Sequence, residues 1–256
     1  MPTFVKYKGD AAMSRILAVV YGAVCYLVFL PTSLYAVGFI GGWFVPKTLD
    51  SGAALPWQHA LLADALLLGV FALQHSVMAR PAFKRWWTAI VPAHVERSTY
   101  VLLTSLALLL LFWQWQPLPA IVWDVAHPAG RALLVGLCWL GWAIVLASTF
   151  FINHFDLFGL RQVVLHLRKQ PYTDLPFTRA MLYKFVRHPL MLGFVIAFWA
   201  APRMSVGHLV FALGGTGYIL VGLWLEERDL LAAHGEAYRQ YHREVPMLFP
   251  LPRKRA

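Results

Sequence analysis

Long apolar stretches alternate with short polar ones along most of this chain. Predominantly hydrophobic runs cover residues 16–40, 57–77, 99–113 and 132–152. A bilayer core needs about 20 apolar helical residues, and each run approaches or passes that length, the third with its flanks. After residue 152 the pattern changes. Residues 153–188 are mixed, polar and basic, and 189–201 is apolar but short. At ~1.5 Å per residue, that piece reaches about 20 Å, less than a full crossing. Pro202 and Arg203 break it, and a further apolar run, 206–225, follows at once. This spacing predicts a helical hairpin. Pro189 suits the first turn of its first arm, where a missing N–H is not needed.

Composition agrees with a membrane reading. Charged residues make up 13% of the chain and hydrophobic ones 59%, whereas soluble domains carry about 25% charge. The expected fold is all-α: a polytopic membrane helix bundle of four spans, a C-terminal helical hairpin and a cytoplasmic C-terminal helix. It forms one membrane domain over 1–256, with the four spans in 15–153 and a cofactor-binding segment, hairpin and tail in 154–256. The first run is too long for a signal peptide and further spans follow, so it reads as a retained anchor.

The net charge of +10 does not point to nucleic acid, because the basic residues sit between the apolar runs rather than on one arm or face. They sort by loop. Lys6, Lys8 and Arg15 precede the first run, and Arg80, Lys84, Arg85 and Arg97 follow the second. Arg161, Arg168, Lys169, Arg179, Lys184 and Arg187 follow the fourth; Arg228, Arg239, Arg243, Arg253, Lys254 and Arg255 follow the last. The alternate loops hold Lys47, Arg131 and Arg203. By the positive-inside rule both termini face the cytoplasm. Cys25 and Cys138 lie within apolar runs, in no disulfide or metal-ligand pattern, and no metal site is expected.

Four polar constellations remain. Tyr183, Lys184, Arg187 and His188 abut Pro189 in "LYKFVRHPLMLGF". A basic flank accounts for Lys184 and Arg187 but not for the histidine. Glu226, Glu227 and Asp229 end the last run, where both the helix dipole and the positive-inside rule disfavour acids. A solvated turn and a ligand-binding carboxylate both fit. Asn153, His154 and Asp156 stand among phenylalanines, and a His with an Asp suits proton movement near neutral pH. Asp64 lies deep in the second run, and Gln74, His75 and Ser76 lie near its end. Intramembrane polar groups either tie helices together or mark function.

The ordered set Arg187-His188-Pro189, Glu226-Glu227 with Leu230, Gly235, Tyr238, Tyr241, and Val245-Pro246 with Pro250 resembles the isoprenylcysteine carboxyl methyltransferase-like, NnrU-related family of membrane methyltransferases. Two positions depart from that pattern: Met191 stands where a Tyr is frequent, and His234 where a Phe is usual. "QHSVMARPAFKRWW", "ERSTYVLL" and "NHFDLFGLRQ" are closer still to the bacterial branch that methylates methanethiol. That resemblance implies transfer of a methyl group from S-adenosylmethionine to methanethiol, giving dimethyl sulfide and S-adenosylhomocysteine, in a bacterial inner membrane. It implies cofactor contacts at Arg187, His188, Pro189 and Glu226 or Glu227, with Tyr183, Tyr238 and Tyr241 as walls. A lipid, isoprenoid or prenylcysteine acceptor, or a non-enzymatic transporter built around Asp64, are the alternatives. The thiol must lose a proton to react. His154, assisted by Asp156, is the expected base, with His75 second. The bilayer is the expected surrounding, and no protein partner is predicted.

Overall fold

The computed structural model describes residues 12–173, 175 and 181–250, with the side chains of Ala233 and His234 left aside. Lys6, Lys8, Arg179, Arg253, Lys254 and Arg255 lie outside the described residues. The elements run α1 (Ala12–Gly41), α2 (Trp57–Ala79), α3 (Pro81–Trp87), α4 (Ala93–Gln114), β1 (Ile121–Asp124) and α5 (Pro128–Ile152). Then come α6 (His154–Leu157), α7 (Leu160–Leu167), a 3-10 turn at Met181–Lys184, α8 (Pro189–Trp199), β2 (Arg203–Ser205) and α9 (Val206–Glu244). The protein is an all-α membrane bundle. Helices α1, α2, α4, α5 and the Val206–Ala232 part of α9 are each long and apolar enough to cross a bilayer. Their outward faces carry Leu27, Leu62, Leu73, Leu133 and Leu146, all exposed, as lipid contact requires.

The short arm of the hairpin does more than its length suggests. Helix α8 has 11 residues, but extended backbone continues from it into β2, which pairs antiparallel with β1. Strand β1 lies between the spans α4 and α5. The arm therefore reaches the same end of the bundle as the α4–α5 connection, part as helix and part as ribbon. Val206 N–H to Ala120 O (2.8 Å) and Gly207 N–H to Leu118 O (3.0 Å) extend that join. Ser205 caps α9 by accepting from His208 N–H at 2.9 Å, and its hydroxyl donates to Asp50. This is the sheet end. Asp64 serves it too: the carboxylate accepts from the Gln116 N–H at 2.8 Å and fixes the chain leaving α4.

Helix α8 can lie this close because small residues line the contact with α5. A side-chain carbon on Gly193 would come within 2.6 Å of the Gly141 carbonyl oxygen, and one on Gly141 within 2.7 Å of the Ala197 nitrogen. Such backbone clashes cannot be relieved by a rotamer change. Gly193→Ala should therefore lower stability by about 1–3 kcal/mol, the usual cost of overpacking. Thermal unfolding in detergent checks it, with Gly217→Ala, which has open space around it, expected to leave the midpoint unchanged.

The opposite end carries most of the described charge. Arg15, Arg80, Lys84, Arg85, Arg97, Arg161, Arg168, Lys169, Lys184, Arg187, Arg228, Arg239 and Arg243 are there; Lys47, Arg131 and Arg203 are at the sheet end. Helix α9 runs past the apolar part into this polar end. It is interrupted at Gly235, whose φ of 55° and ψ of −127° are not helical. The chain then returns to α8, where the Arg187 and His188 N–H groups donate to the Pro246 and Met247 carbonyls at 2.9 and 3.1 Å.

Candidate functional site

The polar end brings Arg187, His188 and Glu227 together although 39 or more residues separate the first two from the third. Pro189 opens α8 at its first position, so His188 is the capping residue and is held by the backbone on both sides. Arg187 is 4% exposed. Its Nε donates to Glu227 Oε1 at 2.6 Å, and Nη2 approaches the same oxygen. Its Nη1 donates to the carbonyls of His242 (3.0 Å) and Val245. The guanidinium thus latches the returning tail to α8 and α9 at once. His188 Nε2 stands 3.1 Å from Glu227 Oε1, and His242 Nε2 stands 3.3 Å from Glu227 Oε2.

The two adjacent acids are unlike. Glu227 is almost enclosed and fully engaged by Arg187, His188 and His242, whereas the Glu226 side chain is 49% exposed, its Oε2 3.8 Å from His188 Nδ1. Tyr238 and Tyr241 are 1% and 2% exposed, packed edge to face at 5.9 Å, with Val245, Leu230 and Leu231 around them. The Tyr241 hydroxyl donates to the Tyr183 carbonyl at 2.7 Å, tying the tail helix to the 3-10 turn. Burial raises the Tyr183 phenol well above its ordinary range, and Glu226 and Tyr241 push it further. Met191 packs into the main apolar core.

A second polar cluster fills the space between α2, α4 and α9. The Tyr100 hydroxyl lies 2.8 and 3.0 Å from the two ring nitrogens of His75, and Thr104 Oγ1 lies 3.3 Å from Nδ1. Phe71 stacks on the His75 ring and Tyr218 meets it edge-on. Ser76 hydrogen-bonds Tyr218 at 3.4 Å, and Arg80 pairs with Asp229 at 2.9 Å. Arg97 lies over Tyr100 at 5.0 Å. Lys84 of α3 lies near Arg97 and Arg80: burial, then Arg97, hold its ammonium below the ordinary lysine range. Reading the sequence singled out His75 but missed Tyr100, Tyr218, Lys84 and Arg97. Arg97, Tyr100 and Thr104 form one face of α4 at i, i+3 and i+7, which was an available signal.

The third constellation comes apart. His154 is 7% exposed and saturated: Nε2 bonds the Tyr26 hydroxyl at 2.7 Å and Nδ1 bonds Thr149 at 2.9 Å. Phe150 stacks on its ring at 4.5 Å, and burial lowers its basicity. Asp156 turns elsewhere, pairing with Arg161 at 2.8 Å. The expected assistance of His154 by Asp156 is therefore not formed; Tyr26 and Thr149 hold that ring instead. The structure brings together Arg187, His188, Glu226 and Glu227, with Tyr183 and Tyr241 beside them, and keeps His154 and Asp156 apart. Two cavities lie away from these groups. One of about 180 Å³ is at the sheet end beside Cys138 and His208, and an open apolar groove of about 550 Å³ lies between α1 and α4.

Comparison with known proteins finds relatives along most of the chain. The family described as NnrU protein matches residues 64–244, from Asp64 to the end of α9. A methanethiol S-methyltransferase of Mycobacterium tuberculosis is 61% identical over 242 residues, covering 94% of this chain and 99% of that protein. A methanethiol S-methyltransferase of Crocosphaera subtropica is 54% identical, covering 96% and 97%. Nurim of Mus musculus is 29% identical, covering 74% and 73%. No solved structure matches. With its match across most of the bundle and its near full-length likeness to the first two proteins, the chain belongs to the NnrU family, alongside proteins named methanethiol S-methyltransferase.

Proposed function

We propose that the protein methylates methanethiol to dimethyl sulfide, with S-adenosylmethionine as donor and S-adenosylhomocysteine as the second product. The observation that carries this is the 61% identity to a methanethiol S-methyltransferase over 94% of the chain. On this reading the bundle is one membrane domain in a bacterial inner membrane, and the excess of Lys and Arg at the charged end favours a cytoplasmic orientation for that end and both termini.

The residues present fit the donor. S-adenosylmethionine carries an amino-acid end and a ribose diol, which need an acceptor carboxylate and a donor beside it. Glu226 supplies a half-exposed carboxylate, and His188 lies next to it under the chain. When bound, the cofactor supplies an electrophilic methyl group on a sulfonium. Glu226 accepts hydrogen bonds from the ribose hydroxyls or the amine. His188, held by Glu227 and by the Met247 carbonyl, keeps a fixed ring for the same ligand. Pro189 lets the chain turn into α8 without stranding an N–H. Arg187 is a positioning residue, since all its observed contacts are internal. Tyr183, Tyr238 and Tyr241 form the wall behind these groups. Glu226, half-exposed and 3.8 Å from its nearest basic nitrogen, leaves one carboxylate open to a cationic group of the ligand.

The purified protein in detergent or nanodiscs, given S-adenosylmethionine and methanethiol, should release dimethyl sulfide into the headspace, measured by gas chromatography. A parallel arm offers a prenylcysteine, with transfer followed by labelled methyl. Folded protein that makes no dimethyl sulfide, or that turns over the larger acceptor far faster, defeats the reading.

A further inference from the structure

The open groove of about 550 Å³ between α1 and α4 takes no part in the site described above. Leu17 and Tyr21 line it on α1, Val95 and Leu103 line it on α4, and Trp87 of α3 stands at its polar end. On α1 the lining runs from Ser14 to Tyr21, about 10 Å, and on α4 from Val95 to Leu103, about 12 Å, at ~1.5 Å per residue. The groove is therefore elongated along the bundle axis. It starts at the charged end and covers most of one leaflet's hydrocarbon depth, about 15 Å or half of a ~30 Å core.

Its walls call for an apolar occupant from the bilayer. The Tyr21 hydroxyl and Thr99 Oγ1 bond each other at 2.9 Å across the join of α1 and α4. The His94 ring stacks on His166 of α7, with centroids 3.6 Å apart. These polar groups are spent on one another, and aliphatic side chains line the rest of the depth. Leu17 and Val20 are 59% and 53% exposed, which puts lipid along this side of the bundle.

The rim is basic. Through His166, the His94 contact brings the end of α7 to the mouth, and Arg168 and Lys169 follow two and three residues later. Arg85 precedes Trp87 by two residues on α3. All three cations are exposed and enter no ion pair among the described residues. The acids on this side have other neighbours: Asp156 pairs with Arg161, and Glu96 lies near Lys84. Helix α3, "PAFKRWW", has no acid and buries none of its residues. Aromatic and basic side chains mixed in this way sit at headgroup depth.

We propose that this groove seats one acyl chain of a phospholipid whose anionic headgroup rests against Arg85, Arg168 and Lys169. The apolar length selects a tail, and the three unpaired cations select the sign of the head. The site is independent of the reaction proposed above.

The test titrates delipidated protein with phosphatidylglycerol and with phosphatidylcholine of the same chains, read by native mass spectrometry. The anionic lipid should be retained about tenfold or more better, since each basic residue at a charged headgroup adds roughly fivefold. Changing Arg85→Gln, Arg168→Gln and Lys169→Gln together should remove most of that preference. All three side chains are exposed, so the fold should be spared, which thermal unfolding checks. In nanodiscs holding a phosphatidylglycerol with a photoreactive tail, labelled peptides should concentrate in residues 14–21 and 91–103. Equal retention of the two lipids, or labelling no stronger there than at the exposed Leu133 and Leu146 of α5, marks ordinary boundary lipid and overturns the proposal. A groove left unlabelled because residues 1–11 or a second copy of the chain cross-link into it overturns it as well. A preference that survives the triple change overturns the assignment of the headgroup to these cations.

Discussion

Arg187→Ala should destabilise the protein by about 3–5 kcal/mol, the range for removing one partner of a buried ion pair. The size follows from what the guanidinium holds. Arg187 is 4% exposed and engages Glu227 together with the carbonyls of His242 and Val245. Truncation leaves the Glu227 carboxylate, 12% exposed, short of its main counter-charge. It also releases two tail carbonyls that lie too deep for water to satisfy them cheaply. Arg187→Lys keeps the charge but not the planar fork, so it should recover only part of the loss. Thermal unfolding in detergent reads the stability, and limited proteolysis reads the tail, which should be cut earlier between Gly235 and Pro250 in the alanine variant. A midpoint within error of wild type, with the tail equally protected, would sink the latch.

The bundle itself was legible because lipid exposure makes spans apolar all round, so run length alone marks them. The first, second and fourth runs became helices within four residues of their sequence limits, while the helix of the third run starts six residues earlier, at Ala93, and the apolar part of α9 extends to Ala232. The β1–β2 ribbon was not legible. Its strands, "IVWD" and "RMS", are too short for a period-2 pattern, and their pairing exists only because α8 is short and must be completed by extended chain. The motif Arg187-His188-Pro189 could be flagged as odd, but not its wiring. Two of Arg187's acceptors are backbone carbonyls, which carry no sequence signature, and they arrive only after the break at Gly235 returns the chain. His154 and Asp156 misled for the opposite reason. Two residues apart in sequence, they suggested a pair, yet a short helix aims one at Tyr26 and the other at Arg161.

The adjacent acids should separate cleanly when each is neutralised. Glu226→Gln should leave the unfolding midpoint nearly unchanged, because the side chain is 49% exposed and its nearest partner, His188 Nδ1, is 3.8 Å away. The same change should weaken S-adenosylhomocysteine binding by roughly 10- to 150-fold, equivalent to about 1.5–3 kcal/mol for a lost hydrogen bond to a charged group. Glu227→Gln should do the reverse in kind. Its carboxylate is engaged by Arg187, His188 and His242, so an amide leaves a buried guanidinium without its counter-charge and lowers the midpoint. Ligand affinity in Glu227→Gln should fall only as far as His188 loses its fixed position. Calorimetric titration and thermal unfolding on the same preparations give both numbers. The helix explains why neighbours differ so much: one residue turns α9 by about 100°, which moves a carboxylate from an exposed side of the helix to the closed contact with α8. If instead Glu226→Gln unfolds the protein and Glu227→Gln spares it, the faces are assigned the wrong way round.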